Sequence, residues 1–229
     1  MRQLHDHLAS FGLKILEHLE RVLVTFVFFL SRMGRGRPGY GRPTGILYVF
    51  AFAERMLERG HEIRALQACG VLRYEIARLP RGTRPLPLCP PVQPGDRIIC
   101  LHWDNNVLAH IVGSEESSHR IAREVTRRTA SDLTTLAGMV EAGVFPSDIR
   151  AVWPETVVYR ALARLGFGIR EAKPGIRRPF ARLYILALMA IYGPPGLIDR
   201  SPDRLRHYQL GESWMDLRHL VQQYAPESQ

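Results

Sequence analysis

The residues best suited to chemistry are His102, Asp104 and Asn105, which stand where an apolar run beginning near Arg97 ends. A histidine beside a carboxylate can act as a general acid or base, because the carboxylate orients the imidazole and stabilises its protonated form. Glu155 follows a second short apolar run and adds another carboxylate. We therefore take His102, Asp104 and Glu155 as the candidate catalytic residues.

Two predicted strands, over residues 97–103 and 149–153, must position these side chains. Alternation along an extended chain places His102 on the same side as Cys100, within a strand that is otherwise apolar. If the two strands lie side by side, their polar carboxyl ends meet at one edge of the sheet, where open α/β sheets bind ligands. The candidate ligand-binding residues at that edge are His102, Asn105 and Thr156.

Two alternatives compete with catalysis at this edge. A metal site could combine His102 and Asp104 with His110 or His119, because imidazole and carboxylate groups suit zinc. The spacing matches no zinc motif, and Asp104 or Asn105 can instead cap the helix that follows, so we predict no metal ligands. A hydrogen-bonded structural histidine is the second alternative. The residues leave open whether the protein is an enzyme, and they identify no cofactor.

The pattern of apolar residues predicts an α+β fold, with a small mixed sheet of three to five strands packed against helices. Strands are predicted by alternation at 71–79, 97–103, 149–153 and 167–171. A long amphipathic helix is predicted over 117–142, and a shorter helix over 157–165 that ends at Gly166. Both are expected to cover the sheet.

Helical extensions are expected on both sides of this core. We divide the chain into an N-terminal helical region with a basic Gly/Pro linker over 1–60, the α+β core over 70–175, and a C-terminal helical extension over 176–229. The extension begins with an apolar helix from Leu183 to Tyr192 and ends with two amphipathic helices that break around Gly211.

The N-terminal region contains a nine-residue apolar stretch, Val22–Leu30. Because a membrane span needs about 20 residues, this stretch is too short to cross a bilayer. Arginines follow it in a Gly/Pro-rich run, at Arg32, Arg35, Arg37 and Arg42. An apolar helix followed by clustered arginines is typical of a peripheral anchor on an anionic membrane. The alternative is a core helix followed by a surface loop.

The formal net charge of +9 invites a nucleic-acid interpretation, which the details disfavour. All but two of the 31 Lys and Arg residues are Arg, without an arginine-rich recognition helix or zinc-finger spacing. We therefore do not expect nucleic-acid binding. The three cysteines lack Cys-x-x-Cys spacing and no secretory signal is visible, so we expect a cytoplasmic protein, peripheral on the inner membrane face if the anchor is used.

Four short stretches carry a resemblance to a known family: Val71-Leu72-Arg73-Tyr74, Gly95-Asp96, Leu101-His102-Trp103-Asp104-Asn105 followed by Leu108, and Thr156 leading to Leu165-Gly166-Phe167. In this order the chain resembles the YkoP-like domain over roughly residues 70–173. That family includes stand-alone bacterial proteins and C-terminal accessory domains of some polysaccharide deacetylases. The resemblance implies a cell-envelope context and no defined reaction. We expect no deacetylase domain within these residues.

A second likeness gives an alternative function. The run from Thr156 to Phe167 looks like the late helix-to-strand passage of acetyl-CoA-dependent N-acetyltransferases. Such enzymes need a pyrophosphate loop of the type Arg/Gln-x-x-Gly-x-Gly/Ala, which the sequence lacks. We therefore expect an accessory protein of envelope polysaccharide or glycolipid metabolism that binds a glycolipid or a partner enzyme. An acyltransferase-like or metal-dependent enzyme using the His102/Asp104 cluster is the alternative.

Overall fold

The computed structural model describes residues 63–68, 70–114, 117–156, 159–171 and 210–225. The strands and helices below lie within one compact unit, residues 56–172 with 211–229. Several predicted segments fall outside the described residues: the apolar stretch 22–30, the four arginines that follow it, and the apolar run 183–192.

Seven strands and four α-helices make up the described part of the chain, which confirms the predicted α+β class with a mixed sheet. The first half contains β1 (Arg64–Ala65), β2 (Leu72–Arg78), β3 (Arg97–Trp103), α1 (Asn105–Ser114) and α2 (Ser118–Glu141). The second half contains β4 (Ala151–Trp153), β5 (Glu155–Thr156), α3 (Tyr159–Leu162) with a 3-10 turn (Ala163–Leu165), β6 (Gly168–Glu171), β7 (Gly211–Asp216) and α4 (Leu217–Tyr224).

The sheet is larger than the three to five strands predicted, chiefly because β7 was missed. The prediction of two helices broken around Gly211 is wrong, since Gly211–Asp216 is a strand and α4 begins directly after it. Polar residues disguise this strand, because Glu212 and Ser213 are both buried in it. A buried glutamate and serine break the alternation of apolar and polar side chains by which a strand is recognised.

The strand order is β1-β2-β3-β4-β7, with β5 continuing the β4 edge of β7 and β6 on its other edge. Strands β4 and β5 share one register on β7, from Ala151 opposite Asp216 to Thr156 opposite Gly211. Pro154 separates them but still accepts a hydrogen bond from the Ser213 N–H (3.0 Å). They therefore form one strand in two pieces.

Each face of the sheet has its own apolar core. On the helix face, Ile99 and Leu101 of β3 pack with α2 and α4, where Leu133, Leu136 and Leu220 are buried. On the loop face, the side chains of Ile98 and Trp153 pack under the Pro-rich segment 79–94. Leu79, Leu86 and Val92 of that segment are almost fully buried. Within it Leu86 and Val92 form an isolated antiparallel bridge.

A buried carboxylate ties α2 to the beginning of β2. Asp132 Oδ2 accepts hydrogen bonds from the backbone N–H groups of Val71 and Leu72, both at 2.8 Å. Gly70 passes so close that a Cβ there would overlap the carboxylate of Asp132. Burial raises the pKa of Asp132, and the two backbone donors oppose that shift.

We expect Asp132→Ala to lower the free energy of unfolding by about 2–4 kcal/mol, because it leaves two buried N–H donors unpaired. Asp132→Asn keeps an acceptor oxygen and should cost clearly less. Urea unfolding of both variants near neutral pH measures the difference. Equal losses in the two variants would contradict the assigned role of the two hydrogen bonds.

The raised pKa of Asp132 also predicts a pH dependence. The carboxyl's contribution to stability is fully present below its unfolded pKa of about 3.9 and is lost as the pH rises through the folded-state pKa. Wild-type protein should therefore lose stability relative to Asp132→Asn as the pH is raised from about 4. Parallel unfolding curves at all pH values would contradict the shift.

Candidate functional site

Strands β3 and β4 run parallel, so the carboxyl ends of both lie at the same edge of the sheet. Their ladder contains two pairs only, Ile99 opposite Val152 and Cys100 opposite Trp153. Beyond these pairs β3 continues to Trp103, and β4 leads into β5. The parallel pairing puts the two strand ends at the same edge of the sheet, and the ladder stops where Pro154, which has no N–H, would come next.

His102 lies on the loop face, where its partner is Glu75 on β2. His102 Nε2 is 2.9 Å from Glu75 Oε1, and the side chains are 36% and 11% exposed. Glu75 stands opposite Cys100 in the antiparallel register of β2 and β3. Glu75 could not be recognised from the sequence, because its role depends on a cross-strand register. The alternation of Glu75 with apolar neighbours predicted only a half-exposed strand residue.

Asp104 contacts other groups than His102. Its Oδ1 accepts hydrogen bonds from the N–H groups of Asn106 (3.0 Å) and Val107 (3.1 Å), so it caps α1 as predicted. Its Oδ2 forms an ion pair with Arg73, 2.6 Å from Nη2 and 2.7 Å from Nε. Asn105 is the first residue of α1. The carboxylate of Asp104 is therefore engaged in positioning the helix and the strand end.

The remaining predicted residues lie in different places. Glu155 is exposed in β5, on the same face as Trp153 by alternation, and Thr156 is buried on the opposite face. The chain enters α3 at Tyr159. His110 and His119 are exposed on α1 and α2, away from His102, and His119 contacts Arg123. The structure thus brings neither histidine to the strand end.

Three other side chains do come together on the loop face: Glu75, Cys100 and His102, here called the Glu–Cys–His cluster. One potential ligand atom from each lies within 4.8 Å of the other two. Burial raises the pKa of the Cys100 thiol, and the negative charges of Glu75 and Glu155 raise it further. The thiol is therefore protonated in the absence of a neighbouring cation.

Beside the end of the β3–β4 ladder, on the helix face, lies a small, mainly apolar cavity of about 10 Å³, here called the strand cleft. It is lined by Leu72, Leu101, Trp103, Thr129, Pro154, Leu162 and Phe167. The β3 backbone borders it, because Asp104 N–H donates to Val71 O (2.8 Å) on the opposite side. Backbone groups alternate along a strand, so those of Trp103 face the cleft.

The comparison with family models supplies the classification of this fold. The model described as the YkoP domain matches residues 45–224. The chain belongs to the YkoP domain family. The match extends past Lys173. It includes β7, which completes the sheet of this YkoP domain, and the helix α4. No curated protein and no solved structure matches the chain.

The described part of the YkoP domain contains four α-helices, α1 to α4. None of these helices has both the length and the apolar character needed to cross a bilayer.

Asp104 should matter more to the stability of the YkoP domain than an ordinary helix cap. We expect Asp104→Ala to cost about 2–4 kcal/mol, because it removes the cap of α1 and leaves the half-buried Arg73 without this partner. Asp216 caps α4 through the Arg218 N–H (2.8 Å) and serves as the matched control. Asp216→Ala should cost about 0.5–1 kcal/mol. Equal losses in urea unfolding would contradict the double role of Asp104.

Proposed function

We propose that this YkoP domain is a binding module for an N-acetylated sugar of the cell envelope, and that the sugar enters the strand cleft. The observation that carries the proposal is the end of the β3–β4 ladder after Cys100 and Trp153, directly beside the apolar strand cleft. A parallel pair that stops after two residues leaves a strand edge and an apolar gap side by side. Both are needed to hold a ring that has one amide substituent.

The strand edge offers the polar part of this recognition. An acetamido group has one N–H and one C=O, the same pair of groups that an added strand presents to an open edge. The backbone of Trp103 faces the cleft and can pair with such a group. Sugars without an acetamido group cannot make this contact.

The apolar lining offers the second part. The ring of Trp103 is partly exposed, and Leu162 and Phe167 lie on the α3 side of the cleft. Aromatic and apolar side chains form most of the surface of small-molecule sites. The cleft has a volume of only about 10 Å³, about that of one water molecule, so entry of a sugar ring requires its lining to move, first of all the partly exposed Trp103.

Polar side chains flank the cleft at both strand ends. Asn105 begins α1 just after β3, and Thr156 ends β5. Neither residue lines the cleft, Thr156 is buried and both make other interactions, so their predicted role in ligand binding stays a prediction. His102 lies on the opposite face beside Glu75, so its predicted role in ligand binding stays a prediction.

The envelope context rests on the resemblance to YkoP-like domains carried by polysaccharide deacetylases, which act on N-acetylated polymers. Either a glycolipid headgroup or a polysaccharide supplies the same sugar chemistry. An enzyme of envelope polysaccharide metabolism is the partner we propose for such an accessory module. Binding rather than catalysis is favoured because Asp104 is engaged by Arg73 and by the α1 cap.

Calorimetric titration with chitotetraose tests the proposal, with cellotetraose as the control that lacks acetamido groups. We expect chitotetraose to bind at least tenfold more tightly than cellotetraose. Trp103→Leu should weaken binding about three- to tenfold, as loss of an aromatic contact of 0.5–1.5 kcal/mol implies. Ile76→Ser, an exposed position outside the cleft, should bind normally. Equal affinity for both sugars would overturn the proposal.

An acyltransferase-like function is the second candidate. It is favoured because α3 and its 3-10 turn lead through Gly166 into β6, as in the late helix-to-strand passage of acetyl-CoA-dependent N-acetyltransferases. The strand cleft could also take the linear, amide-containing arm of acetyl-CoA. Against it, the chain forms α1 directly after β3 and has no glycine-rich phosphate loop. Tight binding of acetyl-CoA without any of chitotetraose would favour this candidate.

We further propose that the full chain associates with the inner membrane face through residues 22–30 and the basic run after them. The support is the sequence, in which apolar residues precede Arg32, Arg35, Arg37 and Arg42. Attraction to anionic lipids is worth about 1 kcal/mol per basic residue near the surface.

Vesicle flotation tests this association. Full-length protein should float with phosphatidylglycerol-containing vesicles at low salt, and replacing the four arginines by serine should release most of it. Replacing four exposed arginines of the described domain, Arg81, Arg120, Arg123 and Arg127, should leave flotation much less affected. Wild-type protein that stays at the bottom of the gradient would refute the association.

A further inference from the structure

The Glu–Cys–His cluster lies on the loop face, on the other side of the sheet from the strand cleft, and the proposed sugar binding does not use it. We propose that Glu75, Cys100 and His102 form a three-ligand site for a divalent transition metal ion, with zinc as the best match. Sequence patterns offered Asp104, His110 and His119 as partners of His102 and predicted no metal ligands, so this set of three is new.

The sheet itself assembles the three ligands. Glu75 and Cys100 are register partners on β2 and β3, and His102 is two residues further along β3. Side chains two residues apart on a strand share a face, so all three project from the loop face. The arrangement needs no sequence motif, because one ligand comes from the neighbouring strand. This explains why local spacing did not reveal it.

The distances suit a metal with bonds of about 2.0–2.3 Å, which holds its tetrahedral ligands about 3.3–3.7 Å apart. His102 Nε2 and Glu75 Oε1 are 2.9 Å apart, and the three ligand atoms lie within 4.8 Å of one another. Side-chain rotations that move ligand atoms by about 1.5 Å or less would complete the set. These side-chain rotations leave the backbone pairing of β2 and β3 unchanged.

The ligand types select the class of metal. A thiolate, an imidazole and a carboxylate form a mixed set of soft, borderline and hard donors, which zinc and similar first-row ions accept. Three protein ligands leave one position for water, as in catalytic zinc sites. His102 is the most exposed of the three side chains, so the fourth position opens toward solvent on its side.

The charges around the Glu–Cys–His cluster favour the binding of a cation. Two carboxylates, Glu75 and Glu155, lie near enough to Cys100 to act on its thiol electrostatically. Arg73, the register partner of His102, forms an ion pair with Asp104 at the strand end. On binding, the metal forms a bond to sulfur and the thiol proton is released to solvent. Ile98 and Trp153, buried under the Pro-rich segment, keep the floor of the site apolar.

Titration of tag-free, full-length protein with Co²⁺ tests the site. We expect a visible spectrum of tetrahedral Co²⁺ together with a thiolate-to-cobalt charge-transfer band in the near ultraviolet, and loss of both on adding one equivalent of Zn²⁺. Cys100→Ala should abolish the charge-transfer band. Glu75→Gln and His102→Gln should each weaken Co²⁺ binding at least tenfold.

Matched controls separate the site from other thiols and imidazoles. Cys89→Ser and His119→Gln change exposed residues outside the cluster and should leave the Co²⁺ spectrum unchanged. Because Cys100 is buried, its variant could unfold, whereas the half-exposed His102 can change with the fold intact, as thermal melting will verify. Binding without a thiolate band, or binding unaffected by His102→Gln in folded protein, would overturn the proposal. The Co²⁺ spectrum should persist in Trp103→Leu, which changes the strand cleft and none of the three metal ligands, so the two proposals fail independently.

Discussion

The two-residue parallel ladder between β3 and β4 is the constraint on which the rest of this structure depends. On one side, β1, β2 and β3 form an antiparallel set. On the other, β7 holds the β4–β5 strand in one register and β6 on its opposite edge. Strand β3 stays paired with β2, and the β4–β5 strand stays paired with β7. Because each strand keeps its own partner, the two sets stop pairing with each other after two residues. The strand cleft is the result of this competition for partners.

Arginine side chains hold the Pro-rich segment on the loop face. Proline contributes a carbonyl but no N–H, so such a segment offers acceptors in excess of donors. Arg150, Arg170 and Arg218 donate to its carbonyls, and an arginine offers five N–H donors in a fixed geometry. Arg170 also forms a 2.6 Å ion pair with the buried Glu212 and lies over the ring of Trp214. Part of the arginine content therefore has a structural use.

Local patterns predicted the features that depend on neighbouring residues. Alternation predicted the strand that ends at Trp103, and amphipathicity predicted α2. Gly166 was predicted to end its helix, and its φ of 81° is a conformation that favours glycine. What could not be predicted depends on pairing between distant segments. Glu75 faces His102 only through the β2–β3 register, and β7 becomes a strand only because β4–β5 and β6 pair with both its edges.

The same two-residue ladder also affects how this fold can diversify. Each half of the sheet keeps its own hydrogen-bond partners whether the parallel strands separate one residue earlier or later. Natural variants can therefore lengthen or shorten the opening between β3 and β4 without unpairing either half. Depth of the opening becomes a property that evolution can adjust separately from the stability of the scaffold.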